Sequence, residues 1–185
     1  TVFPTPLMKL KDIISSSLSR KTILRNCRDI IHHLSVEIGE RPLTNYVNLE
    51  RTRDYIIRKF DEYGAVTARQ EYVAEEKSVC NIIAELKGTR EPERIIIVGA
   101  HYDTVEGTPG ADDNGTAVAG LLEMYRLLEQ HSHKRTIRFV AFTLEEPPFF
   151  SSDLMGSMQY AKNCQKKKDP IDFMVCLEML GFGGR

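Results

Sequence analysis

The 185-residue sequence has no tryptophan, no Cys-x-x-Cys pair, no internal repeat and no long apolar run. A helix that crosses a bilayer needs roughly 20 apolar residues, so no membrane-spanning segment is expected. No charged-then-apolar leader stands at residue 1, which leaves open one removed earlier. Net charge is also nearly missing, since 25 Lys and Arg face 26 Asp and Glu. That balance gives no overall attraction to a polyphosphate, so no nucleic-acid partner is expected. The one dense basic run, Lys166-Lys167-Lys168, reads as a solvated loop. Cys27, Cys80, Cys164 and Cys176 are too widely spaced for a thiolate metal site and read as small buried hydrophobes rather than a disulfide framework. Cysteine usage therefore fixes no compartment.

What is present is ordinary globular composition, 42% hydrophobic and 28% charged, in a length that suits one domain. Residues 1–20, with two prolines and Ser15-Ser16-Ser17, read as an N-terminal arm. Leu24, Cys27, Ile30, Ile31, Leu34 and Ile38 then recur at helical spacing, with Gly39 as the stop. A second helix, capped by Asn45 or Asn48, carries Leu49, Thr52, Tyr55, Ile56, Phe60 and Tyr63 on one face and ends at Gly64. Segments 66–73 and 79–86 are β-prone and suggest an antiparallel pair. The continuous apolar run 95–98 suits a strand buried on both faces. A helix with Val118, Leu121, Leu122, Tyr125 and Leu128 on its stripe follows, with residues 112–114 able to cap it. Next come a strand at 136–142, a short helix opened by Ser152 or Asp153, and a buried strand at 173–177. This alternation predicts an α/β fold with a mixed, largely parallel sheet to which the earlier pair adds antiparallel edge strands.

Four segments carry the chemistry. His101 stands just past the 95–98 strand, where open α/β sheets place ligands. Asp103, two residues on, can lie on the same side in an extended segment, accept the second imidazole N–H and make the free nitrogen a better metal ligand. Pro109-Gly110 and Gly115 bracket Asp112 and Asp113 in a turn that leads into a helix. Helix capping would account for Asp112, but adjacent aspartates repel unless a cation or donors compensate, which singles out Asp113. Glu145 and Glu146 would face opposite ways on a regular strand, so both serve one site only where Pro147 and Pro148 turn the chain off the sheet. Glu178 follows an apolar run, where an unpartnered carboxylate is costly. One imidazole and several carboxylates at one sheet edge suit a borderline divalent cation, zinc first.

In this order the motifs resemble the M28 family of zinc aminopeptidases: His-x-Asp at 101–103, Gly-x-Asp-Asp at 110–113, Glu145-Glu146, then a carboxylate after a strand. The resemblance runs from about Asn26 to Gly181. M20 peptidases share the ligand types, but the short interval from His101 to Asp113 looks like M28. The resemblance implies a three-layer helix-sheet-helix domain over 21–185 and two zinc ions. His101 and Glu146 would each hold a different zinc, Asp113 would bridge them, and Glu178 would join His101 where better-known members have Asp. Asp103 would support His101, and Glu145 would be the general base. The family's fifth ligand, a downstream His, has no match in His32, His33, His131 or His133. One zinc site, and the C-terminal part of the domain, are therefore expected to be incomplete. His131 and His133 read as exposed.

The function so implied is hydrolysis of N-terminal peptide bonds, with a peptide carrying a free amino terminus as partner. Phe149, Phe150 and Met155 either pack in the core, the preferred reading, or border a side-chain pocket. The rivals are a glutaminyl-cyclase-like acyltransferase and a metal-free binding module on the same scaffold. Many similar proteins are exported, which tilts the expected location outward.

Overall fold

The computed structural model describes residues 20–183, so the expected arm lies outside the described residues except for Arg20. Arg20 opens helix α1 (Arg20–His32), which continues into a wide helical turn, His33–Ile38, and stops at Gly39 with φ 84°. Helix α2 spans Tyr46–Glu62 and buries Leu49, Thr52, Tyr55, Ile56 and Phe60, as their spacing predicts. Neither candidate caps it. Asn45 makes no capping bond, and Asn48 lies inside the helix and donates to the carbonyls of Ile38 and Glu40.

Five strands follow: β1 (Ala68–Ala74), β2 (Lys77–Leu86), β3 (Gly88–His101), β4 (His133–Phe142) and β5 (Ile171–Cys176). Helix α3 (Ala117–Leu128) joins β3 to β4, and α4 (Gly156–Lys167) joins β4 to β5. The sheet order is β1-β2-β4-β3-β5. The β1/β2 and β2/β4 pairs are antiparallel, and the β3/β4 and β3/β5 pairs are parallel. The sheet is thus mixed, with its parallel part at the end that carries the site.

Strand alternation sorts the core into two layers. Ile82, Ala84, Val98, Ala100, Phe139 and Ala141 face α1, α2 and α3, against Leu34, Ile56, Phe60, Val118, Leu121 and Leu122. Ile95, Ile97, Val140 and Phe142 face α4 through Tyr160 and Cys164. This is the expected three-layer arrangement. Runs such as 95–98 are apolar at every position because both sheet faces are covered.

Several expectations fail locally. β5 is an exposed edge, with Phe173, Met174 and Val175 40–50% exposed, because it pairs on one side only and no described element covers its face. Cys176 is exposed with it, and all four cysteines are free. Helix α4 starts not at Ser152 or Asp153 but at Gly156, a position where a Cβ would collide with the Thr143 backbone and the Asn81 side chain. Lys166 and Lys167 close α4 rather than lie in a loop, and Lys168 ends it in the left-handed region. His133 is half-buried, with Nε2 2.8 Å from the Leu128 carbonyl, and His131 is half-buried too. Phe149 is core, Met155 is half-buried and Phe150 is exposed. No helix among the described residues is long and apolar enough to cross a membrane.

Candidate functional site

Strand register gathers the predicted residues. His101, the last residue of β3, pairs with Phe142 at the end of β4, and Gly99 pairs with Cys176, so Glu178 emerges level with the imidazole. After β4 the chain swings off the sheet at Leu144, whose φ is 54°, and the Pro147-Pro148 peptide is cis. That departure lets Glu145 and Glu146 approach the same ring. The Asp113-Asn114 peptide is also cis. Residues 112–114 do not cap α3: the turn Ala111–Thr116 holds non-helical Asp113 and Asn114, and Asp112 instead accepts hydrogen bonds from the Thr116 hydroxyl and the Gly181 amide.

The His101 ring is 4% exposed, and its Nε2 lies 3.2 Å from Asp113 Oδ1, 3.5 Å from Glu178 Oε1 and 3.8 Å from Glu145 Oε2. Two donor groups of three result, His101-Asp113-Glu178 and His101-Glu145-Glu146. Asp103 is on the expected side, 3.5 Å from Nδ1, but the hydrogen bond expected there is not made. Its two oxygens instead accept the backbone N–H groups of Glu145 and Glu146, each at 3.0 Å. Asp103 therefore anchors the Glu145-Glu146 turn.

Burial alone would lower the His101 pKa, but Asp103 and Glu178 outweigh it and push it up to about 11. Burial, then the Asp113 charge, pushes Glu146 up to about 7. Glu145 is also raised, by burial first, against the pull of His101. Such mutual repulsion is what a divalent cation relieves. The residues fit one: Asp113 Oδ1 is buried and makes no well-formed hydrogen bond, its neighbour being His101 Nε2 at 3.2 Å, so the oxygen is free to bind a cation.

The sequence model of Peptidase family M28 matches residues 81–185, more than half of the chain. The chain belongs to that family. An uncharacterized Escherichia coli protein, YfbL, is 38% identical over 82% of this M28 chain and 48% of its own length. Aminopeptidase YwaD of Bacillus subtilis is 33% identical over 60% of the chain and 24% of its own length. The chain thus spans about half of the first relative and a quarter of the second. Among solved structures, a zinc aminopeptidase from Bacillus subtilis superposes with a TM-score of 0.75 at 15% identity, covering 84% of this chain and 69% of that one. A Tannerella forsythia glutaminyl cyclase superposes with a TM-score of 0.67 at 26% identity, over 87% of this chain and 62% of that one.

Three buried polar residues support the M28 site in roles that the sequence does not signal. Arg41, 0% exposed, donates to the carbonyls of Tyr102, Pro109 and Gly110 on the loop between His101 and Asp113, and also to those of Leu34 and Gly39. Burial lowers its pKa to about 10, and the charges of Asp103 and Asp113 work against that fall. Asn81 accepts the Thr143 N–H and donates to the Gly156 carbonyl, joining β2 to the chain on either side of Glu145. Asn114 holds the Glu178 segment. A lone polar residue has no periodicity to read; the Arg-Pro and Asp-Asn contexts of Arg41 and Asn114 look like ordinary turns.

Proposed function

We propose that this chain carries the metal site and the proton-transfer group of a zinc aminopeptidase, which hydrolyses N-terminal peptide bonds. The observation that carries the proposal is the convergence of Asp113, Glu178 and Glu145 on one buried imidazole nitrogen. His101, Asp113 and Glu178 would hold one zinc, and Asp113 and Glu146 would serve a second. Bound zinc supplies a Lewis acid that lowers the pKa of water and polarises a carbonyl. Glu145, half-buried at the edge of the cluster, takes the proton of the attacking water and returns it to the departing amine. Asp103 keeps that carboxylate in reach by gripping its backbone N–H. The cluster's negative charge favours a substrate that presents a free ammonium group. Export is part of the same proposal, and fractionation of the source cells checks it.

A second reading, cyclisation of N-terminal glutamine, draws support from the likeness to the Tannerella forsythia enzyme. Side-by-side assays of the full-length protein separate the two. Aminoacyl anilides should be hydrolysed when the amino group is free and spared when it is acetylated. Turnover confined to glutaminyl peptides, with pyroglutamyl product, would replace the peptidase reading. No turnover on either, with no uptake of zinc, cobalt or manganese, would point to a binding module.

A further inference from the structure

Glu178 has little to hold it. It lies beyond Cys176, the last residue of the exposed edge strand β5, and its side chain is 47% exposed. A glutamate has one more rotatable bond than an aspartate and loses more freedom when fixed. Yet its Oε1 sits 3.5 Å from His101 Nε2. The neighbour that puts it there is Asn114, itself 0% exposed. Asn114 Nδ2 donates to the Leu177 carbonyl and to Glu178 Oε2, both at 3.1 Å, and its Oδ1 accepts the Met179 N–H at 3.1 Å. One side chain thus grips the residue before Glu178, the Glu178 carboxylate and the residue after. Met179 turns the chain out of the strand line with φ 42°, so the bond to its amide also stabilises an uncommon backbone conformation.

We infer that Asn114 is the positioning residue that makes Glu178 a one-oxygen metal ligand and couples it to Asp113. The inference rests on the metal-site reading above. The amide occupies Oε2 and leaves Oε1 to face the imidazole. Because Asn114 follows Asp113 directly, one turn delivers both the Asp113 carboxylate and the clamp on Glu178. The two donors on that side of His101 are set together. The amide suits this role because it donates twice and accepts once; a carboxylate of the same shape cannot donate and would repel Glu178.

The test is a double-mutant cycle on the full-length protein, read by zinc and cobalt titration of the metal-free protein. Asn114→Ala should weaken the His101-side site by about tenfold to a hundredfold, the usual effect of removing a ligand's support, and Glu178→Ala, which removes the ligand, by at least as much. The double variant should be little worse than Glu178→Ala alone, because the clamp acts through Glu178. Additive losses, or unchanged affinity in Asn114→Ala, would overturn the inference. Asn114→Asp, equal in size, carries the same cycle if the alanine variant does not fold. A wild-type protein that takes up neither metal sinks the metal reading, while the clamp is still read by hydrogen exchange. The Met179 amide should be protected in the wild type and in Glu178→Ala and should exchange fast in Asn114→Ala; fast exchange in the wild type would remove the clamp itself.

Discussion

Just beyond β4 and β5 stand carboxylates that approach His101, and the two strands hold them by different means. β4 is the middle strand, with Phe139, Val140 and Ala141 fully buried, and the turn after it is fixed through its main chain by both oxygens of Asp103. β5 is an edge with exposed apolar side chains, and Glu178 beyond it depends on the amide of Asn114. The difference separates two ways of building a site. On the β4 side a buried strand and a grip on the main chain dictate where the carboxylates go. On the β5 side a grip on the carboxylate itself does.

Substitutions should reproduce that contrast. Phe139→Ala should cost about 3–5 kcal/mol, as truncation of a packed core aromatic does, seen as a lower urea midpoint with an unchanged slope. Asp103→Ala should cost less, about 1.5–3 kcal/mol for charge-assisted bonds to backbone N–H groups. It should also abolish most turnover, whereas Asp103→Asn, which keeps one acceptor, should retain more of the stability. A stability loss in Asp103→Ala with full activity would mean that the Glu145-Glu146 turn does not need this anchor. Phe173→Ser on β5 should change stability by no more than about 0.5 kcal/mol; a loss as large as that of Phe139→Ala would show that the β5 face is covered. The smallest effect is chemical. A thiol reagent should label exposed Cys176 in the native protein and spare buried Cys80, whose pKa burial raises to about 11.

The same contrast explains what could be read from the sequence. The 95–98 run, the stripe of α3 and the strand at 136–142 announce covered elements by periodicity, and the residues just past them, His101, Glu145 and Glu146, could be placed at a sheet edge. β5 misled because an apolar run shows what could be buried, while burial needs a neighbour on each side. The roles of Asn114 and Arg41 are illegible because their partners at the site lie 61–69 residues away, at separations that only the folded chain brings together. The sequence puts Asp103 on the correct side of His101 but does not show its hydrogen bonds, since the backbone N–H groups it accepts come within reach only once Leu144 turns the chain.

The central claim divides the cluster between metal holding and proton transfer, and Glu145→Gln tests that division most directly. The variant of the full-length protein should bind zinc with the wild-type affinity and stoichiometry while hydrolysing aminoacyl anilides about a hundredfold to ten-thousandfold more slowly. Wild-type turnover in that variant would contradict the role given to Glu145, and loss of zinc would make Glu145 a ligand instead.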